Sequence, residues 1–223
     1  MTFSLIARCA RTGQFGMVIA SSSPAVAARC AHVRAGVGVV ASQNVTDPGL
    51  GPLILDQLAQ GQTAQVALDH VAAGRAHIDY RQLLVVDAAG GQAIHSGAQV
   101  LGVWGQAMGR DCAAGGNLLA DAGVPQAMVA AFEAATGHLG NRLMQALQAG
   151  LAAGGEAGPV HSAGLKIADV LDWPLVDLRI DWADDPIEML AAAWAVYRPQ
   201  MASYVQRAVD PTVAPSYGVP GNE

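Results

Sequence analysis

Two short apolar segments open the chain, Thr2 to Ala7 and Gly16 to Ala20, and the turn signal Arg11-Thr12-Gly13 between them predicts a β-hairpin. Ser21-Ser22-Ser23-Pro24 ends that pair, an alanine-rich turn of helix follows, and Gly36 to Ser42 (GVGVVAS) has the small and β-branched character of a buried strand. Asp47-Pro48-Gly49 breaks it. From Leu53 to Ala59 and from Thr63 to Ala72 the apolar positions switch to helical spacing, with Thr63 as N-cap and Gly74 as stop. Tyr80–Asp87 and Gln92–Ser96, joined by the turn Ala88-Ala89-Gly90-Gly91, form the clearest hairpin in the sequence, and two more strands are expected at Val100–Ala107 and Cys112–Leu119. Pro125–Ala135 and Leu139–Ala153 read as helices ended by Gly154-Gly155. Ser162–Val170 and Leu175–Asp181 read as a late strand pair, and Asp184-Asp185-Pro186 launches a long helix toward Val209.

Helices therefore come in pairs between groups of strands, unlike the strict alternation of a doubly wound sheet. The order predicts two sheets between helical layers. No linker or repeat divides the chain, so residues 1–210 are expected to form one α/β (α+β) domain, followed by a proline-bearing tail over 211–223.

Composition narrows the function classes. Apolar residues make up 52% of the 223 positions and charged ones 13%, which supplies a large core and excludes disorder. No apolar run approaches the roughly 18–20 residues that cross a bilayer, and the first residues lack a basic leader, so a cytoplasmic protein without membrane contact is expected. The three cysteines, Cys9, Cys30 and Cys112, have no CxxC spacing and are expected as buried thiols. With net charge −6, the 11 arginines and Lys166 are scattered, which speaks against nucleic acid and for a small-molecule substrate. The apolar, weakly charged composition suggests a homo-oligomer. Six histidines show neither HxH nor HExxH spacing, so no metal and no cofactor are expected.

Thr2 is the leading catalytic candidate. If Met1 is removed, one residue carries both a hydroxyl and a free α-amine, and an amine with an ordinary pKa of about 8 can take the hydroxyl proton near neutral pH. A small residue at position 2 is also common for reasons unrelated to catalysis. What adds weight is its context, a hairpin that starts at the threonine itself.

Several motifs in order strengthen that context: Thr2-Phe3-Ser4, Ala20-Ser21, Ala25-Val26, the run Ala35 to Gln43 followed by Pro48 and Gly51, Tyr80-Arg81-Gln82-Leu83 with Asp87, His95-Ser96-Gly97, Gly116-Asn117-Leu118-Leu119, Ser162-Ala163, and Asp177 to Asp181. By these the chain resembles, over most of residues 1–185, the bacterial domain-of-unknown-function family 1028, proteins similar in fold to N-terminal nucleophile hydrolases. The resemblance implies a four-layer αββα sandwich and names no reaction. Proteasome-type relatives of the fold carry an acid after the second strand, where this chain has Ser22, and a lysine near the amine, for which Arg34 is the nearest counterpart.

Other polar residues fall where strands end. Gln43-Asn44 reaches toward a pocket at the sheet end, although an Asx turn explains the following Thr46-Asp47 equally well. Arg81 and Gln82 sit on an otherwise apolar strand, and an inward arginine requires a carboxylate, structural or from a substrate. His95 is a general acid or a satisfied core histidine; Asn117 is an oxyanion donor or a turn cap. Cys30, beside Arg29 and His32, reads better as a buried thiol than as a thiolate.

The leading expectation is a hydrolase of a carbon–nitrogen bond in a small, carboxylated metabolite, an amidohydrolase of bacterial catabolism. Thr2 attacks, its amine is the base, and the Gly116-Asn117 region holds the oxyanion; Ser22, Ser23, Arg34, Gln43, Asn44, Arg81 and Gln82 bind substrate. A deaminase that activates water through Ser23, Asn44 and His95 is one alternative. A metabolite-binding or scaffold protein of the same fold, without turnover, is another.

Overall fold

The computed structural model describes residues 1–221, and among them ten strands form two antiparallel sheets. The chain begins with β1 (Thr2–Arg8) and β2 (Phe15–Ser21), which are the central pair of a six-stranded sheet ordered β10-β9-β2-β1-β8-β7. Its other members are β7 (Gly105–Gly109), β8 (Cys112–Asn117), β9 (Ser162–Ala168) and β10 (Val176–Ile180). The second sheet, β3-β4-β5-β6, comprises β3 (Ala31–Arg34), β4 (Gly38–Asn44), β5 (Arg81–Asp87) and β6 (Gln92–Ser96).

Strand alternation sorts each residue to a layer. On β1, Phe3, Leu5 and Ala7 face outward and pack with Val18 and Leu165 against α4 (Val124–Ala134), α5 (Leu139–Ala152) and α6 (Pro186–Tyr197) through Phe132, Leu143, Leu147 and Leu190. Ile6 faces the other way and joins Phe15, Met17, Ile19, Val39, Leu84, Val86 and Ala113 between the sheets, with the short α1 (Val26–Cys30) at their edge. Beyond the smaller sheet, Val40, Leu83 and Val85 meet α2 (Leu50–Ala59) and α3 (Ala64–Ala72). The result is helices, sheet, sheet, helices: the αββα sandwich that the resemblance implies. Each buried aromatic or large aliphatic side chain in these layers is worth about 1.5–3 kcal/mol relative to exposure.

Thr63 caps α3 as its sequence suggests, accepting from the Val66 amide at 3.4 Å. Four expectations are corrected. A strand, β3, precedes the one read from Gly36; it is a half-buried edge strand with no apolar run to mark it. The strand expected at Val100–Ala107 begins only at Gly105, because the preceding residues find no ladder partner and Leu101, Val103 and Trp104 stay exposed. The long helix toward Val209 breaks at Arg198–Gln200, where Pro199 cannot donate, and restarts as α7 (Met201–Val209). Asp185 precedes Pro186 at the head of α6 but makes no side-chain cap. Tail residues lie on α7: the Arg207 guanidinium sits 3.8 Å over the Tyr217 ring and donates to the carbonyls of Pro215 and Ser216.

Candidate active site

The inter-sheet layer changes character along its length. Where β1 begins, its inward positions are Thr2 and Ser4 instead of Ile6, and opposite them Gln43 and Gln82 replace the aliphatic residues of β4 and β5. Buried amides need partners. Here Ser4 Oγ donates to Gln43 Oε1 at 2.6 Å, Gln43 Nε2 to Gln82 Oε1 at 2.9 Å, and Gln82 Nε2 to Ser96 Oγ at 3.1 Å and the Gly105 carbonyl at 3.3 Å. Ser96 Oγ passes the chain on to Gln106 at the surface. Gly115 permits this crossing, since a Cβ there would stand 3.1 Å from Leu84 and 3.4 Å from Gln82.

Thr2 is 5% exposed at the head of this layer, and its ladder partner on β8 is Asn117. Residues paired across strands project to the same face, so both side chains enter the inter-sheet space. Thr2 Oγ1 donates to the Met1 carbonyl and lies 3.5 Å from Ser21 Oγ, which also donates to that carbonyl and accepts from the Ser23 amide at 3.0 Å. Asn117 is fully buried, yet neither its Nδ2 nor its Oδ1 has a partner. The next residue, Leu118, has φ 51°, a left-handed conformation that a branched side chain adopts only under constraint. That turn is stitched by Leu118 N to the Leu101 carbonyl at 2.9 Å and Ala157 N to the Leu118 carbonyl at 3.0 Å.

Behind Ser21 stands Glu156, 5% exposed, bridged in β fashion to Leu119 and accepting the Ser22 amide on both carboxylate oxygens at 3.0 and 3.1 Å. Burial pushes this carboxyl up to about 7, against the opposing pull of the amino-terminal charge and the Ser22 hydrogen bond. The loop after β2, where the sequence shows only Ser22, is therefore held by an acid from a distant segment.

Of the residues singled out in the sequence, Thr2, Asn117, Ser22, Ser23, Gln43 and Gln82 come together at this end. Four do not. Arg34 pairs with Asp56 at 2.9 Å on the surface. Asn44, at φ 72°, donates to the Tyr80 carbonyl at 2.6 Å and accepts from Leu101 N, fastening loops. Arg81 points out of the inter-sheet layer and donates to the Val45 carbonyl, so it is not the inward arginine expected to hold a carboxylate at this site. His95 pairs with Leu83 on the outward face and bonds the Ile78 carbonyl at 3.1 Å. The water-activating trio Ser23, Asn44 and His95 is thus not assembled. Sequence reasoning missed Ser4, Ser21 and Glu156. Ser4 was legible as the residue two positions from Thr2 on the same face, whereas Glu156 sits in a glycine loop with nothing local to mark it.

All three cysteines are buried and free, and burial raises the thiol pKa of Cys30 and of Cys112, the latter to about 12. Among the described residues no group of three or more His, Cys, Asp or Glu is arranged to hold a metal, and no helix is long and apolar enough to cross a membrane.

Fold and site together define an αββα sandwich whose first central strand carries a buried hydroxyl residue at its head. The chain belongs to the Family of unknown function (DUF1028), whose profile matches residues 2–190. It is similar to protein SPO2555 from Silicibacter pomeroyi, a solved structure of that family, with 29% identity and a TM-score of 0.86 over 92% of this chain and 90% of the other. Weaker likeness extends to Anbu (ancestral beta-subunit) from Yersinia bercovieri, at 11% identity and TM-score 0.40 over 91% and 97% of the two chains. An Anbu Gly-1 mutant from Hyphomicrobium sp. strain MC1 gives 12%, 0.42, and the same coverage. Comparison with curated proteins gives no match.

Proposed function

We propose that the protein is a hydrolase of a carbon–nitrogen bond in a small metabolite, with Thr2 as nucleophile once Met1 has been removed. The observation that carries this reading is the pairing of a buried hydroxyl at a strand head with a buried side-chain amide, Asn117, that has no partner of its own. With Met1 attached, the Thr2 nitrogen is a peptide nitrogen and no base. With Met1 gone it is an amine that takes the Oγ1 proton as Oγ1 bonds the substrate carbonyl carbon. Asn117 Nδ2 donates to the oxygen on which charge develops. The C–N bond then breaks as the leaving nitrogen takes the proton, and water, giving its own proton back to Oγ1, hydrolyses the ester at Thr2.

Intact mass of purified protein tests the first condition: Met1 is expected to be absent. Thr2→Ala is expected to keep the thermal unfolding transition and lose turnover in a mass-spectrometric screen of amides and lactams. Active protein that retains Met1, or a Thr2→Ala variant that turns over normally, overturns the mechanism.

A further inference from the structure

The Thr2 site contains three kinds of buried polar group, and they differ in how they are satisfied. Every side-chain nitrogen and oxygen of Gln43 and Gln82 has a partner, in each other or in Ser4, Ser96 and Gly105. The hydroxyls of Thr2 and Ser21 both donate to the carbonyl oxygen of Met1, which is the oxygen of a neutral amide. Asn117 alone offers both its donor and its acceptor to nothing. Leaving a buried polar group unpaired costs about 1–3 kcal/mol, so the protein bears that cost on a residue in ladder register with Thr2.

A side-chain amide with Nδ2 and Oδ1 free presents a donor and an acceptor along one edge. Its complement is a group with C=O and N–H along one edge, as in a primary carboxamide or the fixed cis amide of a lactam. An ester or a tertiary amide satisfies only Nδ2, and an ammonium only Oδ1. A carboxylate engages Nδ2 and meets the lone pairs of Oδ1. The surroundings point the same way in the reactive form: the side chains of Thr2, Ser4, Ser21, Gln43, Gln82 and Asn117 are uncharged, the Thr2 amine must be neutral to act as base, and the carboxyl of Glu156 lies behind Ser22, where its charge opposes an incoming anion.

The geometry points to a neutral carboxamide or lactam bearing an N–H as the substrate class, docked edge to edge on Asn117, with Nδ2 donating to its carbonyl oxygen and Oδ1 accepting from its N–H. This rests on the assignment of Thr2 above, and it places the carbonyl carbon of the same amide beside Oγ1. It also replaces the carboxylated metabolite expected from Arg81, which bonds a backbone carbonyl elsewhere.

Binding tests it without requiring turnover. The protein, released from an N-terminal fusion with Thr2 at its amino terminus, is titrated by ligand-observed NMR at about pH 9, where an ordinary α-amine is neutral, with 2-pyrrolidinone, N-methyl-2-pyrrolidinone and 5-oxoproline. The three share a ring and differ in the N–H and the carboxylate. 2-Pyrrolidinone is expected to bind about tenfold more tightly than either of the others, the loss expected for one hydrogen bond to a buried partner. Asn117→Leu removes that preference, and the isosteric Asn117→Asp, which keeps the shape while losing the donor, weakens 2-pyrrolidinone binding. Equal or tighter binding of the N-methyl or carboxylated ring overturns the proposal, as does binding of none of the three or a preference unchanged in both Asn117 variants. Turnover persisting in Thr2→Ala while the preference holds sinks the nucleophile assignment alone.

Discussion

The two ends of the inter-sheet layer are made by the same strands and the same alternation, yet they obey different rules. At one end Ile6, Phe15, Met17, Val39, Val86 and Ala113 interlock as ordinary core. At the other end the same faces carry Thr2, Ser4, Ser21, Gln43, Gln82 and Asn117, all buried and all polar. Converting an apolar layer into a polar one is expensive, and most of this cost is offset by the Ser4–Gln43–Gln82–Ser96 chain. The offset stops at Asn117. The contrast teaches that polarity alone does not mark a candidate site, because a fully partnered network is a scaffold; under the proposed function it is the unpartnered Asn117 beside Thr2 that would meet a ligand.

The comparison can be broken most forcefully at the apolar end. Phe15→Ala is expected to cost about 3–5 kcal/mol in chemical denaturation, because the cavity opens where nothing polar can use it. Glu156 comes next and depends on pH. Its folded-state value of about 7 lies above the ordinary carboxylate range because of burial, so between about pH 4.5 and 7 the folded protein holds a proton that the unfolded chain has released. Stability from this group is therefore full below that window and is lost as pH rises through 7, by at most about 3 kcal/mol. Glu156→Gln, whose Oε1 still accepts the Ser22 amide, should flatten the profile, with the melting temperature of the variant gaining on wild type as pH rises; parallel profiles would show that the carboxyl is not held this way.

Within the polar end, Gln82→Leu should cost about 1–3 kcal/mol by orphaning the buried Gln43 Nε2, an effect measured by urea unfolding. Asn117→Leu should do the reverse of a normal core mutation: unfolding free energy unchanged or raised by up to about 1 kcal/mol, because no partner is lost, while turnover disappears. An Asn117→Leu loss as large as that at Gln82 would erase the distinction between scaffold and site.

Much of the sandwich was legible in the chain because its cues are local. Short apolar runs bounded by turn signals marked β1, β2, β5 and β6, helical spacing marked α2 to α5, and Thr63 marked its own cap. Where the cue was absent or misleading, as at half-buried β3 and in the apolar but unpaired residues 100–104, the reading failed because ladder partners are not written locally. The candidate site divides the same way. Thr2 announced itself by position, Gln43 by ending a buried strand and Gln82 by interrupting an apolar one, while Ser4 was passed over although it shares the face of Thr2. Only tertiary structure decided that Gln43 reaches Gln82, that Arg81 and His95 face outward, that Glu156 arrives from more than 130 residues away to hold Ser22, and that Asn117 stands unpaired beside Thr2. The physical reason is that residue type and spacing fix which face a side chain can take, whereas its partners, and so whether a buried polar group is spent or free, depend on strands brought together from distant parts of the chain.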